Sequence, residues 1–140
     1  GATMKVYIDT SVVLRVLFGE RNPLPEWGQW TVAYSSRIWH TEALRAVERS
    51  RLTAAIDDSQ VAKLRRNIEL INGILDVVPL SDPILARAGE SFSTVIGTLD
   101  AIHLATALHI RDTTGLDVFL THDAQLATAA SASGLTVEGV

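Results

Sequence analysis

Residues 4–11 read MKVYIDTS, and this short segment decides which fold to expect. Its first five residues are mostly apolar, which is typical of a short buried strand, and Asp9 follows them directly. Thr10 and Ser11 then open a helix. A strand that leads straight into a helix is the first half of a βαβ unit, from which parallel sheets are built.

The alternation of short apolar strands and amphipathic helices continues along the chain. It predicts further strands at residues 31–34, 76–80, 117–120 and 135–140, and helices at 37–51, 57–75, 99–111 and 123–133. A shorter helix begins at Ser81-Asp82-Pro83, and Ser35 and Ser36 are placed to cap the helix at 37–51. Residues 20–30 are expected to be a loop or a broken helix, and residues 91–98 a polar connection. We therefore predict one domain over residues 4–140, with an α/β/α arrangement around a central parallel sheet of about five strands.

Composition limits the classes of function. The chain has 140 residues, no cysteine, and 12 basic against 16 acidic residues, for a net charge of −4. Disulfides and cysteine-ligated metal sites are thereby excluded, and we expect a protein of the reducing cytoplasm. No apolar run reaches the roughly 18 residues of a membrane span, and no signal peptide pattern is visible. We interpret Gly1-Ala2-Thr3 as a remnant of cloning and Met4 as the natural start.

Two aspartates, Asp9 and Asp123, each follow a predicted strand and precede a predicted helix. Ligands of parallel α/β sheets bind beyond the carboxyl ends of the strands, where both residues are expected to lie. Taken singly, each aspartate is explained equally well as the N-cap of the helix that follows it. Two strand ends that present an aspartate in the same way favour a shared functional site.

Two further carboxylates are placed toward the protein interior. Glu42 lies within the apolar stripe of its helix, four residues after Ile38 and four before Ala46. A carboxylate that faces inward is costly unless it is paired, for example with Arg45, or bound to a metal. Asp100 opens an almost wholly apolar helix, so it either complements the helix dipole or points into a buried site.

Four carboxylates gathered at one place favour a divalent cation. Two like charges about 5 Å apart repel by roughly 3 kcal/mol at an effective dielectric near 20. This repulsion is relieved either by protonation of one of the acids or by a divalent cation. Mg²⁺ and Mn²⁺ prefer oxygen ligands, and such an ion also allows an acidic protein to hold a polyanion.

The polar residues that flank these acids have weaker signals. Thr10 and Thr121 lie nearest the predicted site and could hold a ligand water or a phosphate oxygen. His122, beside Asp123, could contact a phosphate. His103 and His109 are interpreted as ordinary buried or half-buried residues.

The motifs that carry these residues resemble those of PIN-domain ribonucleases, and more narrowly VapC-type toxins of type II toxin–antitoxin systems. The motifs are YIDTS at 7–11, EALR at 42–45, TLDAIHLATAL at 98–108 and LTHDAQLATAA at 120–130. The resemblance extends over nearly the whole chain from Met4, and it includes the length and the order of the elements.

The resemblance implies a PIN-like α/β fold and an endoribonuclease that depends on Mg²⁺ or Mn²⁺ and hydrolyses RNA phosphodiester bonds with a metal-activated water. By motif position, the catalytic and metal-binding acids are Asp9, Glu42, Asp100 and Asp123. Asp123 varies most within the family and can act through water, and Thr121 takes the family's hydroxyl position. The implied partners are structured RNA such as tRNA or ribosomal RNA, a cognate antitoxin whose C-terminal segment covers the active-site groove, and a second copy of the chain in a homodimer.

Other classes fit the sequence less well. A receiver-like phosphorelay domain needs an acid pair after the first strand, where Thr10 follows Asp9, and a lysine after the last strand, where none is present. A haloacid-dehalogenase-type phosphatase needs a second aspartate at the position of Ser11. DNA flap-type nucleases carry long insertions that are missing here. A catalytically silent PIN-like module that only binds a partner stays open.

Overall fold

The computed structural model describes residues 4–20 and 27–140. Its five strands are β1 Lys5–Ile8, β2 Val32–Ser36, β3 Asp76–Val78, β4 Val118–Leu120 and β5 Val137–Glu138. They form one sheet in the order β3-β2-β1-β4-β5, and all neighbouring strands are parallel. The prediction of a central parallel sheet of about five strands is confirmed.

Helices cover both faces of the sheet. The described part of the chain forms α1 Thr10–Leu17, α2 Ile38–Leu52, α3 Asp58–Ile74, α4 Asp82–Ala88, α5 Thr98–Thr113 and α6 Ala124–Ala132. One core cluster joins the sheet to α1, α2 and α3 through Val12, Trp39 and Ile68. A second core cluster joins the other face to α5 and α6 through Leu104 and Leu126. The three-layer α/β/α architecture is thereby confirmed. None of the described helices is long and apolar enough to cross a membrane.

Strand boundaries differ from the sequence pattern where the chain cannot continue a ladder. The strand expected at 76–80 ends at Val78, because Pro79 has no backbone N–H to donate. The strand expected at 135–140 is reduced to Val137–Glu138, after a turn in which Gly134 has φ +93°. Most of the loop expected at 20–30 lies outside the described residues.

The predicted serine cap of α2 is wrong. Ser35 and Ser36 are buried residues of β2, and Ser36 is in register with Val78 of β3. The N-cap position is taken by Arg37, whose side chain makes no capping hydrogen bond. The Ser36 hydroxyl still accepts from the Ile38 N–H at 3.2 Å, so the strand runs further than its apolar pattern while retaining one contact to the helix.

The pairing of β1 with β4 gathers the residues that follow both strands. Ile8 is in register with Leu120, and the Asp9 N–H donates to the Leu120 carbonyl at 3.1 Å. Asp9 and Thr121, which are far apart in sequence, therefore become neighbours at the carboxyl edge of the sheet.

Gly139 allows the chain to pass closely behind this edge. The Thr121 N–H donates to the Glu138 carbonyl at 3.1 Å, and Gly139 follows with φ +108°. A Cβ atom added to Gly139 would lie 2.4 Å from the carbonyl oxygen of Thr121. Both the backbone angle and the space therefore require glycine here.

We predict that Gly139→Ala lowers the free energy of unfolding by about 2 kcal/mol or more, because the added methyl group displaces Thr121. Chemical denaturation followed by circular dichroism measures this change. The matched control is Gly115→Ala, which has φ +89° but open space around the new atom, and it should cost only about 1 kcal/mol. Equal losses in the two variants would show that the close approach to Thr121 has no energetic consequence.

Candidate active site

Asp9 is a buried carboxylate at the carboxyl end of β1, with an exposed fraction of 3%. Its Oδ1 accepts from the Ser11 hydroxyl at 2.6 Å, and its Oδ2 accepts from the Thr121 hydroxyl at 2.7 Å. It also caps α1 by accepting from the Val12 N–H, so the capping and functional interpretations both apply. Burial raises the pKa of Asp9, and the hydrogen bonds to its carboxylate oppose this rise.

Glu42 is half-buried on α2 and faces α1 and α5. Its Oε1 accepts from the Thr10 hydroxyl at 2.8 Å and lies 2.7 Å from Nε2 of His103. The inward placement expected from the apolar stripe is therefore present. The alternative of an ion pair with Arg45 is wrong, because the partner of Glu42 is His103.

Asp100 lies in the first turn of α5 and is half-buried. The pKa of this carboxyl is raised to about 6, and burial is the largest cause. The negative charges of Asp123, Asp9 and Glu42 contribute to the same rise, in that order of size. Four carboxylates from four separate parts of the chain are thus close enough to influence one another electrostatically.

Asp123 is the N-cap of α6. Its Oδ1 accepts from the N–H groups of Gln125 at 2.9 Å and Leu126 at 3.0 Å. Its own N–H donates to the Thr121 hydroxyl oxygen at 3.0 Å. The capping interpretation is confirmed for Asp123. Within the described residues, no hydrogen bond is made to its second oxygen, Oδ2.

The two threonines expected to support the site do so through the carboxylates. Thr121 donates its hydroxyl proton to Asp9, and Thr10 donates its proton to Glu42. Since each hydroxyl has a single proton, neither can also donate to a phosphate oxygen in this arrangement. Their role in this structure is to orient the two acids.

His103 is the residue that sequence reasoning left out of the site. It is buried, with an exposed fraction of 2%, and it contacts both Glu42 and the hydroxyl of Tyr7. A lone histidine in an apolar helix looks like a core residue. Its spacing of three residues from Asp100 was the available signal, because residues at i and i+3 share a helix face.

His122 does not take the role suggested by its sequence position. Its Nδ1 lies 2.7 Å from the Gly139 carbonyl oxygen, to which it donates, and its Nε2 is buried without a hydrogen-bond partner. The ring therefore points into the protein, and the suggested phosphate contact has no support.

The donor chemistry of the site fits a hard cation, although no closed metal cage is present. Within residues 4–20 and 27–140, no three His, Asp or Glu side chains stand in a geometry that could hold a metal ion. Glu42 and Asp123 each direct one oxygen at a protein donor instead. Mg²⁺ commonly binds through one or two carboxylates and several waters, so an open arrangement of oxygen donors suits it.

The raised pKa of Asp100 predicts a pH-dependent stability. The folded state holds the proton up to about pH 6 and the unfolded chain only to about 3.8, so stability is full below 3.8 and falls as the pH rises through 6. The Asp100→Asn variant has no carboxyl group at this position, so its stability does not fall with pH in this way. In EDTA, its free energy of unfolding should rise relative to the wild type between these pH values, by on the order of 1 kcal/mol after solvent screening.

Urea denaturation at several pH values measures this difference. The matched control is Asp76→Asn, at an exposed position of β3, which should follow the wild type at every pH. A constant difference between wild type and Asp100→Asn across the pH range would contradict the proposed environment of Asp100.

Comparisons with known proteins identify the family to which this fold belongs. The family model of the PIN domain matches residues 6–132. The chain is 31% identical over 128 residues to "Ribonuclease VapC47" of Mycobacterium tuberculosis (strain CDC 1551 / Oshkosh), and the match covers 86% of each protein.

Three solved structures with the same fold are of toxin–antitoxin proteins. A toxin–antitoxin complex from Klebsiella pneumoniae matches with a TM-score of 0.67 at 16% identity, over 95% of both chains. VapBC-1 from nontypeable Haemophilus influenzae matches with a TM-score of 0.62 at 17% identity, over 96% of this chain and 97% of the other. VapBC2 from Rickettsia felis, bound to a DNA fragment from its promoter, matches with a TM-score of 0.65 at 14% identity, over 96% and 98%. The family model and the VapC relative together establish that the chain belongs to the PIN-domain family.

Proposed function

We propose that this chain is the toxin of a toxin–antitoxin pair and acts as a metal-dependent endoribonuclease. The observation that carries the proposal is the electrostatic coupling of Asp100 to Asp123, Asp9 and Glu42. The match to a VapC ribonuclease over most of both chains gives the type of reaction. Membership of the PIN-domain family also removes the receiver-like alternative.

The charge around the site favours a cation from solution. Among the described residues, no lysine or arginine forms an ion pair with any of the four acids. A divalent ion is the remaining way to offset their repulsion without protonating one of them. The cofactor we propose is Mg²⁺ or Mn²⁺.

All four carboxylates are assigned to this ion and to the reaction: Asp9, Glu42, Asp100 and Asp123. Asp123 is the least direct, because its Oδ1 is already occupied by two N–H groups of α6. When bound, the ion polarises the attacking water and offsets the charge that grows on the phosphate. Thr121 and Ser11 keep the Asp9 oxygens oriented, and Thr10 does the same for Glu42.

The partners follow from the same assignment. The substrate is RNA, with structured molecules such as tRNA or ribosomal RNA as the first candidates. A cognate antitoxin is supported by the solved relatives, two of which are VapBC complexes. A homodimer and a place in the cytoplasm complete the proposal.

A catalytically silent binding module is the second candidate. It is favoured by one observation, which is that no three acidic or histidine side chains in the described residues form a ready metal site. The two candidates differ in whether RNA is cleaved.

We predict that the purified chain cleaves RNA in Mg²⁺ or Mn²⁺ and not in excess EDTA. Asp9→Asn should lower the cleavage rate by more than about 100-fold, because losing a ligand costs more than the 10- to 100-fold typical of residues behind the ligands. A gel assay on total tRNA and ribosomal RNA measures both effects, with Asp76→Asn as the active control. Cleavage that survives EDTA would defeat the metal mechanism, and no cleavage by the wild type would favour the silent module.

We also predict that Mn²⁺ raises the melting temperature of the wild type, because a ligand that binds only the folded state stabilises it. Asp9→Asn should lose this rise, and Asp76→Asn should keep it. Differential scanning fluorimetry over a series of Mn²⁺ concentrations measures the shift. The same rise in Asp9→Asn as in the wild type would show that the ion binds elsewhere.

A further inference from the structure

A buried row of hydrogen bonds runs behind the acidic site. The Ser36 N–H donates to the Tyr7 hydroxyl oxygen at 3.1 Å, and that oxygen lies 2.7 Å from Nδ1 of His103. On the other side of the ring, Nε2 lies 2.7 Å from Oε1 of Glu42. The row joins β2, β1, α5 and α2 through side chains that are fully buried, except for Glu42.

The contacts at both ends allow only one neutral form of the His103 ring. The Tyr7 hydroxyl oxygen already accepts from the Ser36 N–H, so the hydroxyl proton is available to be donated to Nδ1. The Glu42 carboxylate can only accept, so Nε2 must carry the ring proton.

The other hydroxyl groups near the ring do not disturb this assignment. Thr10 donates its own proton to Glu42, and its oxygen lies 3.1 Å from Nε2 as a second, longer acceptor. Ser35 and Thr106, the other hydroxyls beside Tyr7, donate to the backbone carbonyls of Ile8 and Ile102.

We propose that His103 is a positioning residue for the ribonuclease reaction: Tyr7 locks its tautomer, and its Nε2–H fixes Glu42 through Oε1. This inference rests on the proposed function. The two oxygens of the Glu42 carboxylate then have different roles, because Oε1 accepts from both Thr10 and His103. Within the described part of the chain, no hydrogen bond reaches Oε2, which is therefore the oxygen left to serve the ion or the attacking water.

Tyr7 can select the tautomer of His103 because its own ring is held in place by packing. It stacks on Phe119 with ring centroids 5.2 Å apart and planes 4° from parallel. The His103 ring meets it edge-on at 5.8 Å. Tyr7→Phe keeps this packing and removes only the hydroxyl that selects the tautomer.

The test combines a spectroscopic readout with kinetics. In ¹⁵N NMR of the histidine rings, the wild type should show a protonated Nε2 and a bare Nδ1 for His103, and Tyr7→Phe should show a mixture of tautomers. His103→Leu should lower kcat about 10- to 100-fold with KM for RNA unchanged, the range typical when a residue behind the ligands is lost. His103→Gln, whose amide N–H can reach Glu42, should recover most of that loss, and His109→Leu on the same helix should match the wild type.

Circular dichroism confirms that each variant is folded before its rates are compared. An Nδ1–H tautomer in the wild type, an unchanged kcat in folded His103→Leu, or equal losses in the Gln and Leu variants would each overturn the inference. A wild type without ribonuclease activity would instead defeat the proposed function, and the ring signals would then decide the assignment of the tautomer.

Discussion

The buried carboxylate of Asp9 is the constraint on which the rest of the site depends. Taking an ionised carboxylate out of water costs several kcal/mol unless hydrogen bonds or opposite charge compensate it. The chain supplies two hydroxyl donors, Ser11 and Thr121, and one helix N–H, but among the described residues no lysine or arginine partner. Asp9 is therefore held in place while its charge remains largely unbalanced.

The parallel sheet determines which residues surround Asp9. Because β1 and β4 are neighbours, the acid that follows one strand lies beside the threonine that follows the other. The N-termini of α1 and α6 begin at the same edge, and their dipoles stabilise Asp9 and Asp123. Asp100 and Glu42 are contributed by α5 and α2, and burial together with the repulsion between these charges raises the pKa of Asp100. Such a site favours a cation over an additional anion, and the proposed ion would allow an acidic protein to hold the proposed RNA substrate.

The local placement of the acids could be predicted from the sequence, whereas the residues that surround them could not. Asp9 and Asp123 could be predicted because each follows an apolar strand, and Glu42 because it interrupts an apolar stripe. The order of the strands could not be read in the same way, because it depends on how the helices cross over the sheet. His103 was missed for a related reason, since its partners Tyr7 and Glu42 are 96 and 61 residues away. Ser35 and Ser36 were expected to cap α2 because serine favours caps, but both residues belong to β2. The Ser35 hydroxyl donates to the Ile8 carbonyl of β1, and the Ser36 hydroxyl accepts from the Ile38 N–H.

The most direct test of the account is the titration of the Asp100 carboxyl carbon by ¹³C NMR in metal-free protein. We expect a pKa of about 6 in the wild type, and a lower pKa in Asp123→Asn, because the neighbouring charge is gone. A wild-type Asp100 that titrates near the ordinary value of 3.8 and is unaffected by Asp123→Asn would contradict the convergence of the acids.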